Sequence, residues 1–112
     1  MRKKQPPNDI LSSLQRAKDD KDWSEISFIL DEATDNDFNT IKDMKALRSF
    51  ILEFIEHNYW VLRASTVDFI GGFHLKKFLN LVKARLQDKH YVVRDYALMA
   101  YYELIGAKPY LS

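Results

Sequence analysis

The 112-residue chain contains no cysteine, and only three glycines and three prolines. The absence of cysteine excludes disulfide bonds, thiolate metal sites and a cysteine nucleophile. Three glycines are too few for a phosphate-binding loop or a dinucleotide-binding turn, and the G-x-S-x-G motif of serine hydrolases is missing. These absences remove the main motif-defined enzyme classes, so we predict a protein with no catalytic residues and no cofactor.

Long apolar stretches are also missing. No segment approaches the roughly 18 continuous apolar residues that a transmembrane helix needs. The basic residues at the N-terminus are not followed by an apolar run, so we expect no signal peptide. The lack of cysteine fits a reducing compartment, and we predict a cytoplasmic protein that does not bind membranes.

Apolar residues recur at intervals of three and four, and no segment alternates with a period of two. This periodicity predicts an all-α chain. Residues 1–7 are expected to form a disordered basic tail, residues 8–106 a single helical domain, and residues 107–112 a C-terminal tail. Six helices are expected in the domain.

Polar residues and glycines mark the ends of these expected helices. The hexapeptide DNDFNT, residues 35–40, is expected to be a loop that follows the second helix. The predicted N-caps are Asn8, Asp22, Asn58 and Asp88, and the predicted helix stops are Gly71 with Gly72, and Gly106.

An internal repeat appears when the sequence is shifted by 31 residues. The predicted helix pair at residues 40–71 then aligns with the predicted pair at residues 75–106. A third pair at residues 8–34 has the right size and a matching Trp23, but Ile26 stands where the other pairs have arginine. The matched positions are Leu47/Phe78, Phe50/Leu81, Ile51/Val82, Ile55/Leu86, Trp60/Tyr91, Val61/Val92, Leu62/Val93 and Arg63/Arg94.

The segment FLNLVKARLQDKHYVVRDYALMAYYELIG resembles a HEAT repeat, with a leucine-rich first helix, an aspartate in the turn, then Val-Arg and a second helix with small residues. MKALRSFILEFIEHNYWVLRASTVDFIGG resembles it too, with Asn58 near the aspartate position. The resemblance covers residues 40–106, and residues 8–34 only by size. It implies a right-handed α-α superhelix of three HEAT-like helix pairs, with a hydrogen-bonded ladder between repeats formed by Arg63, Asp88 and Arg94.

The chain contains two groups of potential metal ligands. Asp35, Asp37 and Asn39 match the first three ligand positions of a calcium-binding loop. That loop needs glycine at its sixth position and glutamate at its twelfth, where this chain has Thr40 and Ala46. The three histidines lack metal-ligand spacing, so no metal site is expected.

The charges are distributed unevenly along the chain. Residues 19–43 contain nine acidic residues and two lysines, a net charge of −7. Residues 76–94 contain six basic residues and one aspartate, a net charge of +5. This difference either reflects opposite solvated faces or provides one end suited to a basic partner.

These features point to binding rather than catalysis. A free-standing array of this length would be about the size of small bacterial immunity and antitoxin proteins, which bind and block a toxin, and by this analogy we expect such a role. Since many such toxins are basic nucleases, acidic residues would form the partner surface. Those residues are Asp31, Glu32, Asp35 and Asp37.

Aromatic residues and methionine offer a second candidate surface, since such residues dominate the energetics of interfaces. In a solenoid most of them would pack against the preceding repeat, but the last repeat has no successor. The candidates are Trp60, Tyr91, Tyr96, Met99 and Tyr102. The alternatives are a general adaptor that binds through this face, a nucleic-acid-binding protein that uses the lysines of the fifth helix, and self-association.

Overall fold

The computed structural model describes residues 9–107, and every regular element in this range is helical. This confirms the predicted all-α class. No helix of residues 9–107 is long and apolar enough to cross a membrane. The predicted tail at residues 1–7 and most of the one at 107–112 lie outside the described range. The helices are α1 (Ile10–Asp19), α2 (Trp23–Glu32), α3 (Asp35–Asn39), α4 (Met44–Phe54), α5 (Trp60–Gly72), α6 (Leu79–Arg85) and α7 (Tyr91–Ile105), with a 3₁₀ turn at Lys76–Phe78 before α6.

The longer helices pack as three consecutive pairs, α1 with α2, α4 with α5, and α6 with α7. Helix α5 is central, because it packs against α2 on one side and α7 on the other. Leu62, Val67 and Ile70 of α5 are therefore completely buried. The handedness of the array and its membership of the HEAT family stay predictions.

Apolar stripes hold the pairs together. In α7, Val93, Ala97, Ala100 and Leu104 follow one another at intervals of three and four residues and are buried. Gly71 lies against Ala100 at the junction of α5 and α7, where an added Cβ would come within 2.8 Å of the Ala100 Cα and Cβ atoms. Gly71 therefore permits a close approach of two helices, although the sequence suggested only a helix stop.

Two predicted caps are wrong by one residue. Asp9, not Asn8, caps α1, and its carboxylate accepts a hydrogen bond from the Ser12 amide at 2.8 Å. Tyr59, not Asn58, precedes α5, and no side chain caps that helix. The predicted cap Asp22 is confirmed at α2, where its carboxylate accepts from the Glu25 amide at 3.1 Å.

The segment DNDFNT is not a loop but contains the short helix α3. Thr34 and Asp37 form a reciprocal capping box: the Thr34 hydroxyl accepts from the Asp37 amide at 3.1 Å, and the Asp37 carboxylate accepts from the Thr34 amide at 2.9 Å. The ring of Phe38 stacks on Phe73 with centroids 4.6 Å apart. The segment therefore fills the junction between the first two pairs.

Candidate partner-binding surface

A buried ion pair joins the second and third helix pairs. The Arg63 guanidinium of α5 donates two hydrogen bonds to the Asp88 carboxylate, from Nε and from Nη2, each at 2.9 Å. Arg63 Nη1 also donates to the backbone oxygens of His57 at 2.7 Å and Asn58 at 3.1 Å. Since the two side chains are 4% and 1% exposed, this pair acts as an internal clamp.

The clamp explains why Asp88 is not the N-cap of α7, as the sequence predicts. Its carboxylate is engaged by Arg63, by Arg85 Nη1 at 3.1 Å and by the His90 amide at 2.9 Å. His90 takes over as N-cap, and its Nδ1 accepts from the Val92 amide at 3.2 Å. Burial by itself would raise the pKa of Asp88, but the hydrogen bonds from Arg63 and His90 and the charges of Arg63 and Arg85 hold it below its ordinary value.

Arg94 stands at the repeat position of Arg63 and copies part of its geometry. Its Nη1 donates to the Asp88 backbone oxygen at 2.7 Å, as Arg63 Nη1 does to the oxygen of His57. The structure thus brings together all three residues of the predicted ladder, Arg63, Asp88 and Arg94.

Aromatic rings stack along the ends of the second helices of the pairs. Trp23 packs on His57 of the next pair, with ring centroids 4.5 Å apart. Trp60 stacks on His90 of the third pair at 3.9 Å, and His90 in turn stacks on Tyr91 at 5.2 Å. Tyr91 ends this row and is 64% exposed. Trp60 and Tyr91 are therefore partly occupied in holding the array together.

An acidic site lies between α2 and α5. Burial raises the pKa of Asp31, the negative charge of Glu32 adds to the rise, and hydrogen bonding from Ser65 opposes it. Burial also raises the pKa of Asp68, and the negative charge of Asp31 adds to that rise. Within residues 9–107 neither Asp31 nor Asp68 forms an ion pair. Two carboxylates therefore repel each other here without a compensating cation.

The site continues into an open groove of about 460 Å³ between α5 and α7. Asp68 and Glu103 bring carboxylates to this groove, and Tyr96 and Met99 supply an apolar wall. The Glu103 carboxylate also lies 3.3 Å from the Nε2 atom of His74. Both wall residues are exposed, Met99 to 54%. The groove thus combines carboxylates with the aromatic and thioether groups that are common in interfaces.

The predicted acidic residues do not form one cluster. Asp31 and Glu32 are neighbours at the C-terminal end of α2, and Asp35 is exposed in the first turn of α3. Asp37 is engaged in the capping box and lines a separate cavity beside Asp9 and Asp43.

The predicted aromatic residues are also divided. Tyr96 and Met99 share the groove, whereas Trp60 and Tyr91 lie in the stacked row. Tyr102 lines a third cavity with His74 and Lys76, at the far end of α7.

Asp68 is not among the binding residues predicted from the sequence, although the sequence contains a signal for it. A shift of 37 residues places Trp23 on Trp60 and Asp31 on Asp68. The first pair is offset by six residues more than the second, because α3 is inserted after α2. The shift of 31 residues therefore hides the relation between Asp31 and Asp68.

No group of three or more carboxylate or histidine side chains within residues 9–107 is placed to hold a metal ion. In comparisons with known proteins, no protein-family model, no curated protein and no solved structure matches this chain.

Proposed function

We propose that this chain is a non-enzymatic protein-binding module that takes a basic partner in the groove between α5 and α7 and on the adjoining acidic site between α2 and α5. The observation that carries the proposal is the pair of uncompensated carboxylates, Asp31 and Asp68, beside the exposed wall of Tyr96 and Met99. A lysine or arginine side chain from the partner would relieve the repulsion between the two carboxylates.

The wall and the carboxylates have complementary roles in this proposal. An arginine could pair with the carboxylates while its guanidinium plane or aliphatic stem packs on Tyr96. Met99 is unbranched and adapts its shape to the surface it meets. The negative field of the groove would also speed the encounter with a positively charged protein.

The partner class that fits best is a basic toxin, with the chain acting as a cytoplasmic immunity or antitoxin-type inhibitor. Such an inhibitor works by covering the active or substrate-binding surface of the toxin. A small, rigid array with an acidic groove suits a nuclease, because the nuclease surface that receives nucleic acid is itself basic.

Nucleic acid has less support as the partner. Of the basic residues in the segment around α6, Arg85 is drawn to Asp88 and Lys77 lies over the ring of Phe78 at 5.6 Å. The carboxylates of the groove would repel phosphates.

The test begins with the full chain as bait in a native cell extract, followed by identification of the bound protein and titration calorimetry with the purified partner. The double variant Asp31→Asn/Asp68→Asn should bind at least about tenfold more weakly, because each lost charge-assisted contact costs more than a neutral one. A toxin should also lose activity when the wild-type chain is added.

The matched control is Glu25→Gln/Glu56→Gln, which removes the same charge from exposed positions outside the groove. The proposal fails if both double variants bind like the wild type, or if both lose affinity equally. Retention on DNA or RNA that falls steeply with salt, without a protein partner, would instead favour the nucleic-acid alternative.

A further inference from the structure

Arg94 repeats the arginine half of the Arg63–Asp88 clamp at the end of the array, but within the described part of the chain the carboxylate half is missing there. Arg63 uses Nε and Nη2 to hold the carboxylate of the next pair. Arg94 has the same backbone contact through Nη1, but along residues 9–107 its Nε and Nη2 meet no carboxylate. The Arg94 side chain is exposed. The first turn of α7 thus presents the Arg94 guanidinium, which is positioned by one hydrogen bond through Nη1 and has Nε and Nη2 available as donors.

The chain itself carries the carboxylate that would complete a further clamp. Asp88 stands three residues before Tyr91, the first residue of α7. Asp20 stands three residues before Trp23, the first residue of α2, and so has the repeat position of Asp88. Asp20 is exposed, and its carboxylate has no hydrogen-bond or ion-pair partner among the described residues.

Exposed apolar residues at the two ends of the array also indicate that a further helix pair could pack there. Val67 is completely buried where α5 meets its neighbours, whereas Leu98, at the same repeat position in α7, is 43% exposed. Ser65 of α5 is buried, whereas Phe28, at the same repeat position in α2, is 59% exposed. Each end of the array therefore exposes an apolar side chain where an inner junction would cover it.

The charges of the two ends are complementary. Residues 9–34 of the first pair contain seven acidic and three basic residues, a net charge of −4, and residues 75–106 of the third pair contain six basic and three acidic residues, a net charge of +3. Two copies would attract each other when the first pair of one faces the third pair of the other. They would repel each other when two first pairs or two third pairs face each other.

We propose that the chain associates head to tail with a second copy, in which the Asp20 carboxylate of one copy binds the Arg94 guanidinium of the other. Phe28 and Leu98 then approach each other across the new junction. Such a contact uses two different surfaces, so each dimer leaves one end of each kind free and can extend. The proposal does not rest on the acidic site of Asp31 and Asp68 or on the groove between α5 and α7.

The test measures self-association by sedimentation velocity across a wide range of protein concentration, at low and at high salt. The wild type should associate as concentration rises, and less at high salt because the junction is charged. Arg94→Asp and Asp20→Arg should each associate at least about tenfold more weakly, since each places like charges opposite one another.

An equimolar mixture of Arg94→Asp and Asp20→Arg provides the sharpest readout. In the mixture opposite charges face each other again at every junction, so association should return. Arg48→Asp is the matched control, because it makes the same charge change at an exposed position of α4 in the middle pair and should associate like the wild type. Circular dichroism should show that all variants keep their helical fold.

The inference is overturned if the wild type stays monomeric at every concentration. It is equally overturned if either single variant associates like the wild type, if the mixture fails to recover association, or if Arg48→Asp weakens association as much as Arg94→Asp.

Discussion

Replacement of Asp88 by alanine should destabilise the protein more than any exposed substitution. The Asp88 carboxylate accepts four hydrogen bonds, two from Arg63, one from Arg85 and one from the His90 amide. Asp88→Ala removes all four and leaves Arg63, with a side chain 4% exposed, as a buried charge without its partner.

The expected cost follows from that buried charge. Removal of one partner from a buried ion pair costs about 3–5 kcal/mol. Folding free energies of natural domains are about 5–15 kcal/mol, so this loss is a large part of the total. Asp88→Asn should cost less, because the amide oxygen can still accept from one of the donors.

Urea denaturation followed by circular dichroism measures this change directly. Asp95→Ala, an exposed acidic residue of α7, is the matched control and should change the unfolding free energy by less than about 0.5 kcal/mol. Arg63→Met added to Asp88→Ala should recover part of the loss, since it removes the unpaired charge. A cost below about 1 kcal/mol for Asp88→Ala would refute the clamp as a source of stability.

Acid denaturation gives a second measure of the same interaction. Because the pKa of Asp88 is held below its ordinary value of 3.8, the unfolded chain takes up this proton before the folded chain does. The contribution of Asp88 is therefore complete above that value and decreases as the pH falls through the folded pKa. Asp88→Asn should lack this part of the pH dependence.

Two further predictions concern the helix junctions. Gly71→Ala should lower the unfolding free energy by about 1–3 kcal/mol, because the new methyl group meets Ala100. Gly72→Ala should be neutral or slightly stabilising, because nothing lies within 4 Å of its added Cβ. Thermal denaturation compares the two variants, and equal effects would contradict the close approach of α5 and α7. Asp68→Asn should raise the unfolding free energy at neutral pH by up to about 0.5 kcal/mol after solvent screening, because the cost of burying the charge and the repulsion from Asp31 are both removed. Since the folded pKa of Asp68 is raised, this gain should vanish below its ordinary value of 3.8, and lower stability at neutral pH would exclude the repulsion.

The sequence was a good guide wherever a local pattern decides the structure. The intervals of three and four apolar residues predict the helices, and Gly106, with a φ of 76°, ends α7 as expected. The buried stripe of α7 follows from the same spacing. The resemblance to a HEAT repeat also pointed to Arg63, Asp88 and Arg94 as contacts between pairs, and the structure places hydrogen bonds among them.

Tertiary contacts account for the features that the sequence did not predict. Asp88 is a good N-cap by type, but the buried guanidinium of Arg63 takes its carboxylate, so His90 caps α7. The insertion of α3 changes the offset of the first pair and hides the approach of Asp31 and Asp68. Neither the change of cap nor the approach of the two aspartates can be predicted from residues that are close together in the sequence.

The two inner junctions of the array differ in kind, and this bears on how the molecule opens. The second junction contains the Arg63–Asp88 pair, whereas at the first junction Ile26 replaces the arginine and contacts such as Trp23 on His57 take its place. In a linear array, coupling between neighbouring units decides which of them unfold together. The second and third pairs should therefore behave as one cooperative unit, and the first pair as the part that can detach and redock while the rest stays folded.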